Sequence, residues 1–171
     1  MAEEELAVVS HDATVTLREI TEDTLRRIIN LSKTLTAEQR THVADNAVSI
    51  AEAHFSKYAW FRAIYADETP VGFLMLYIGP DEEQARAESG EHPTVWFLWR
   101  LMVAGPYQKY GFGRRALAHV YDLVRQQGGT ELYASCVPGP DGPEGFYLRL
   151  GFAPTGKIED GEMEIKLPLV A

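Results

Sequence analysis

Gln108-Lys109-Tyr110-Gly111-Phe112-Gly113-Arg114 lies between an apolar run, residues 95–104, and a helically patterned stretch, residues 114–127. A strand that ends, two glycines that permit a tight turn and a helix that begins together leave several N–H groups unpaired. Such a turn is an anion cradle. Free amides and the positive end of the helix dipole attract phosphate, and Lys109, Arg114 and Arg115 add cations at the rim. The chemistry expected here is capture of a phosphorylated cofactor. A nucleotide P-loop needs Gly-x-x-x-x-Gly-Lys followed by Ser or Thr, and that string is absent. Gly111-x-Gly113-x-x-Ala116 matches the dinucleotide fingerprint, but the motif stands late in the chain. The next strand, 130–137, closes on Ser135 and Cys136 where a ribose-binding acid is required. Taken alone, the glycines also suit a plain tight turn.

A second segment decides the matter. Gln-x-x-Gly-x-Gly after an apolar strand resembles the acetyl-CoA pyrophosphate loop of the GCN5-related N-acetyltransferases. Phe146-Tyr147-Leu148-Arg149-Leu150-Gly151-Phe152 resembles that family's closing Phe-Tyr-x-x-x-Gly-Phe segment. The two stand in the right order, with room between them for one helix and one strand. The resemblance covers residues 15–167 and is most specific over 95–152. Trp96-Phe97-Leu98-Trp99-Arg100 leading into Tyr107-Gln108 is similar to the spermine/spermidine and diamine acetyltransferase branch. One departure stands out: the family often carries an Asn shortly before the tyrosine, and residues 137–143 here read Val-Pro-Gly-Pro-Asp-Gly-Pro. Its task falls to backbone, to Asp141, or to nothing.

The resemblance implies an α+β (α/β three-layer) fold in one domain over residues 1–171. Its central sheet is mixed and mostly antiparallel, has helices on both faces, and splays two strands at the acetyl-CoA site. It implies acetyl transfer from acetyl-CoA to a primary amine of a small, cationic, polyamine-like substrate, by direct attack in a ternary complex. Leu101, Met102 and Val103 would lend N–H and C=O groups to the pantetheine arm. Gln108, Lys109, Tyr110, Gly111, Phe112, Gly113 and Arg114 would hold the pyrophosphate. Tyr147 would be the general acid, a phenol of pKa about 10 giving its proton to a thiolate whose conjugate acid lies near 8.5 to 10. A backbone N–H at Met102 or Val103 would meet the oxyanion. The base is open: Glu19, Glu131 and Glu144 are conceivable and none is preferred. Cys136 has no covalent role. A protein or peptide amine as acceptor, and a non-catalytic acyl-CoA-binding module, are the alternatives. A homodimer is reasonable for the family.

The elements that must position these residues follow from periodicity. Residues 14–20 alternate as a first strand. Thr21 caps a helix over 22–33 whose inner face is Leu25, Ile28, Ile29 and Ser32. Thr36 opens a second helix to about Phe55, with Val43, Ala47, Ile50, Ala51 and His54 inward, His54 as a core histidine. This pair would form one wall of the acceptor site, where Glu38, His42, Asp45 and Glu52 could face an amine, although a solvated helix face suits each of them better. Strands at 59–65 and 70–78 flank a hairpin turn. Residues 79–93 are a polar connector or a lid. Residues 114–127 form a helix with Ala116, Leu117, Val120, Tyr121 and Val124 inward and His119 at the surface, ended by Gly128-Gly129. A strand at 130–137, a helix at 144–150 with Gly151 past its end, and a hairpin of 152–158 with 162–167 complete the chain.

Composition bounds the rest. A chain of 171 residues with net charge −9 argues against a general nucleic-acid role, which wants a basic face. That charge is compatible with a cationic substrate. The acidic start, residues 1–5, lacks the basic and apolar regions of a secretion signal, and Arg100 interrupts the longest apolar run, so a cytoplasmic protein with no membrane partner is expected. Cys136 is the only cysteine and reads as a small core hydrophobe. The five histidines show no i, i+4 pair, so no metal site is expected.

Overall fold

In this computed structural model, which describes residues 7–170, seven strands form one open sheet in the order β1-β2-β3-β4-β5-β7-β6. The acidic start, residues 1–5, lies outside the described residues. The strands are β1 (Val15–Arg18), β2 (Ala59–Ala66), β3 (Thr69–Pro80), β4 (Thr94–Val103), β5 (Glu131–Cys136), β6 (Ala153–Glu159) and β7 (Glu162–Pro168). Every neighbouring pair is antiparallel except β4 with β5. The mixed, mostly antiparallel α/β sheet of the expectation is therefore present. Helices α1 (Glu22–Leu31) and α2 (Asn46–Phe55) pack on β3 and β2, and α4 (Phe112–Gln126) covers the other face against β1, β4 and β5. Among the described residues no helix is long and apolar enough to cross a membrane.

β3 is buried from Pro70 through Leu76, as its unbroken apolar run requires of a central strand. Gly72 is obligatory there: a Cβ would run into the Met102 carbonyl across the ladder. Between α1 and α2 the chain differs from the reading of one helix from Thr36. Thr36 does cap, exchanging bonds with Gln39 at 3.1 and 3.2 Å, but only a single 3-10 turn, Gln39–Thr41, follows. The helix proper begins at Asn46, capped by Asp45, whose side chain accepts from the Ala47 N–H at 2.9 Å.

That later start rotates the buried face. Asn46, Ser49 and Ala53 are inside, whereas Ala51 and His54, both expected to face inward, are exposed. Asn46 goes inside because its Nδ2 donates to the Ile28 carbonyl of α1 at 2.8 Å and its N–H to Ser32 Oγ, just past the end of α1, at 2.9 Å. Residues 79–93 also carry structure. Asp81 caps α3 (Glu82–Ala87) through the Glu83 and Gln84 N–H groups.

Candidate active site

β4 and β5 pair only at Phe97 with Tyr133 and Leu98 with Ala134. Beyond those two rungs β4 continues to Val103 and β5 to Cys136 without pairing, so the sheet opens into a wedge. The ladder to β3 decides which β4 groups face it. The Ala104 N–H donates to the Val71 carbonyl at 2.8 Å, and alternation along an antiparallel pair then turns Met102 to β3 and Leu101 and Val103 to the wedge. Met102 therefore differs from its two neighbours in the expected trio: its backbone belongs to the ladder and its side chain is buried beside Asn46. The Val103 carbonyl accepts from Gln108 Nε2 at 2.9 Å, and Gln108 Oε1 in turn accepts from Gln39 Nε2, which ties the loop end to the segment before α2.

A register shift at β4 has a second consequence. Leu76 faces Leu98 and Met75 faces Arg100, so Trp99 is a bulge and the side-chain alternation changes phase there. Arg100 is thereby brought to α2, where Nη2 bonds Glu52 Oε2 at 3.1 Å and Nη1 bonds the Trp99 carbonyl at 2.9 Å. Its buried Nε has no partner among the described residues.

The loop at the mouth is a backbone device. Lys109 and Gly111 both have positive φ, +68° and +77°, and α4 begins at Phe112, two residues earlier than periodicity indicates. The Phe112, Gly113 and Arg114 N–H groups thus belong to the first turn and have no intrahelical acceptor. Alternating left- and right-handed residues leading into a helix N-terminus form an anion-binding concavity. A Cβ on Gly111 would meet nothing within 4 Å, so the glycine answers to backbone conformation and not to crowding. Lys109 and Arg114 line the cavity and form no ion pair with described residues. Arg115 is engaged elsewhere, donating to the Ala13, His11 and Tyr110 carbonyls at 2.7, 2.7 and 3.0 Å. Tyr110 stacks on His11 at 3.7 Å and offers the loop only its backbone.

Tyr147 stands on α5 (Glu144–Arg149), and the Phe-Tyr-x-x-x-Gly-Phe segment has a plain physical content. Gly151 at φ +94° ends the helix, its N–H bonds the Leu148 carbonyl, and the Phe152 N–H reaches back to the Tyr147 carbonyl at 3.1 Å. That is a Schellman closure. Its apolar contact is Phe152 edge-on to the Tyr147 ring at 5.4 Å, with Phe146 on the ring at 5.2 Å. The ring is 7% exposed, and its hydroxyl makes no hydrogen bond with any described residue although it lines the cavity. Burial above all, then the neighbouring Cys136, Tyr121 and Glu162, holds the phenol well above its ordinary range. A phenol raised in this way rests protonated near neutral pH.

These parts enclose one cavity of about 1000 Å³. Of the expected residues, Leu101, Met102, Val103, Gln108, Lys109, Gly111, Phe112, Gly113, Arg114 and Tyr147 line it, and Tyr110 does not. Of the four polar residues of the early helices, only His42 reaches it; Asp45 caps α2 and Glu52 pairs with Arg100. The wall carries Arg40, Arg100, Lys109, Arg114 and Arg149 against Asp141 and Glu162, a basic excess in a chain of net charge −9. Such a local inversion of sign suits a polyanionic ligand. Sequence reasoning passed over Glu162 and Ser135, which meet only because β7 lies beside β5. Their signal was the inward phase of two strands not known to be neighbours. None of residues 81–93 lines this cavity; they border a separate cleft with residues 127–131.

No curated protein matches the chain. Solved structures share the fold. An acetyltransferase from Thermus thermophilus is 20% identical with a TM-score of 0.62, covering 93% of this chain and 99% of that one. Arabidopsis thaliana Naa50, in complex with the bisubstrate analogue CoA-Ac-MVNAL, is 20% identical with a TM-score of 0.60, covering 90% and 97%. The ribosomal-protein-S18-alanine N-acetyltransferase of Escherichia coli is 15% identical with a TM-score of 0.65, covering 92% and 96%. The family model for the Acetyltransferase (GNAT) family matches residues 22–152, which spans the helical wall, the wedge, the loop and Tyr147. The chain belongs to the acetyltransferase (GNAT) family.

Proposed function

We propose that the chain moves an acetyl group from acetyl-CoA to the primary amine of a small cationic substrate, by direct attack within a ternary complex. The observation that carries this reading is the unpaired wedge between β4 and β5, with a buried phenol at its wall and an anion cradle at its mouth. Acetyl-CoA supplies an activated acyl group and a polyphosphate handle. The N–H groups of Phe112, Gly113 and Arg114 would take the pyrophosphate, with Lys109 and Arg114 as cations. Leu101 and the Val103 N–H would pair with the amide-bearing arm, as an added strand pairs with an open sheet edge. The same Val103 N–H, or that of Leu101, could stabilise the oxyanion. Tyr147 would give its proton to the departing sulfur. Cys136 is 3% exposed with its thiol raised by burial, which argues against an acyl-enzyme and for direct transfer.

A protein or peptide amine is the second reading. It is favoured by the likeness to Naa50 and the S18-alanine N-acetyltransferase, the one bound to a peptide-bearing analogue and the other named for a protein substrate. Thiol release from acetyl-CoA against spermidine, spermine, simple diamines, aminoglycosides and short peptides separates the two. Release with small polycations alone supports the first reading, and release with peptides alone replaces it. Tight acetyl-CoA binding with no release for any amine would point to a non-catalytic binding module.

A further inference from the structure

The reaction needs a group that frees the amine of its proton, because a primary amine near neutral pH is an ammonium ion with no lone pair. The carboxylates weighed from sequence are engaged elsewhere. Glu19 is exposed and faces Arg62 at 3.5 Å. Glu131 accepts from Lys166 and Tyr133 at 2.9 and 2.8 Å. Glu144 Oε2 takes the Gly139 N–H at 2.6 Å. None of the three lines the cavity. Among the described residues, Asp141 and Glu162 are the carboxylates at its wall, and Asp141 is exposed on the loop before α5.

Glu162 is placed differently. It opens β7 across from Glu159 of β6, and the next residue, Met163, faces Cys136 of β5. Its half-buried carboxylate turns back toward β5, where the Ser135 hydroxyl donates to Oε2. A neutral hydroxyl fixes the carboxylate without cancelling its charge, and no Lys or Arg among the described residues pairs with it. The Glu162 charge raises both the Tyr147 phenol and the Cys136 thiol, Glu144 also raises the thiol, and Glu159 is the ionisable residue opposite Glu162 on β6. The carboxylate and the proton donor of the wedge therefore feel each other across one cavity.

Building on the transfer reaction proposed above, we propose that Glu162 receives the acceptor: it draws the ammonium into the cavity and takes the proton that frees the nitrogen lone pair, with Ser135 as its positioning residue. The balance is simple. The ammonium gives one proton to Glu162, which passes it to solvent. The freed lone pair forms the C–N bond to the acetyl carbon, and the C–S bond breaks with its electron pair on sulfur. A second proton leaves nitrogen and restores the phenol that has protonated sulfur at Tyr147. Asp141, exposed on the loop before α5, contributes attraction but not proton transfer.

The test is thiol release with the best amine of the panel, measured against pH for wild type, Glu162→Gln, Glu162→Asp, Ser135→Ala and Asp141→Asn, with acetyl-CoA affinity measured beside it. Glu162→Gln should lower the rate by about 10²- to 10⁴-fold, the usual contribution of a positioned base. Its deficit should shrink as pH rises and the free amine becomes abundant. Glu162→Asp should recover part of the rate, Ser135→Ala should lose several-fold less than Glu162→Gln, and acetyl-CoA affinity should hold in all of them. A Glu162→Gln protein with wild-type rate and pH profile, or a larger loss in Asp141→Asn, overturns the assignment alone. A wild type that releases no thiol with any amine overturns the transfer reading and the assignment with it.

Discussion

The two ends of the cavity are built by different means. The loop end is backbone: a left-handed Lys109, a left-handed Gly111 and the first turn of α4 present N–H groups, with two cations beside them. The wall proposed to meet the acceptor is side chain: His42 from the segment before α2, Asp141 from the loop before α5, Ser135 from β5 and Glu162 from β7 all line the cavity. Backbone chemistry needs particular residue types at particular spacing, so it leaves a mark in one short stretch. Side-chain chemistry assembled from four distant segments leaves none. The contrast predicts that variants at one end change cofactor binding and variants at the other change turnover.

The largest effect should come from Tyr147→Phe, which removes the proposed proton donor at the wedge. Thiol release should fall by about 10²- to 10⁴-fold while acetyl-CoA affinity holds. A smaller but sharper separation comes from Gly111→Val. A β-branched residue is a true outlier at positive φ, so the cradle should distort and affinity for acetyl-CoA should fall by roughly tenfold or more, with circular dichroism unchanged. Lys109→Ala and Arg114→Ala should each weaken binding by several-fold and flatten its dependence on salt, as loss of a solvent-screened cation does.

Away from both ends, Asn46→Ala should destabilise the fold by about 1–3 kcal/mol in urea unfolding, because the Ile28 carbonyl loses its donor, and should leave cofactor affinity alone. The smallest effect is alkaline. The Tyr147 phenol is raised and that of Tyr121 is pushed up to about 12, mainly by burial. In the unfolded chain both titrate near 10, so their contribution is complete below about pH 10 and is lost as pH rises through the folded values. Unfolding midpoints should fall between pH 10 and about 12, and less so in Tyr121→Phe.

Much of this was legible in the residues. The succession of strands, the loop and the helix carrying Tyr147 follow from apolar period and glycine position, and Gly151 sits where its spacing places it. The segment 36–55 was not legible, since a helical period exists there but the chain breaks it at residues 42–45. There Asp45 caps and Asn46 finds Ile28, a tertiary bond that no local pattern encodes. Met102 and Arg100 illustrate the same limit within a strand. Ladder phase and the bulge at Trp99 decide which way each one faces, and both depend on β3.

Calorimetric titration of acetyl-CoA into wild type, Gly111→Val and Tyr147→Phe tests the division directly. Gly111→Val should lose affinity, and Tyr147→Phe should bind as wild type does while failing to turn over. Equal affinity in wild type and a folded Gly111→Val, or a loss of affinity in Tyr147→Phe as large as that in Gly111→Val, would contradict it.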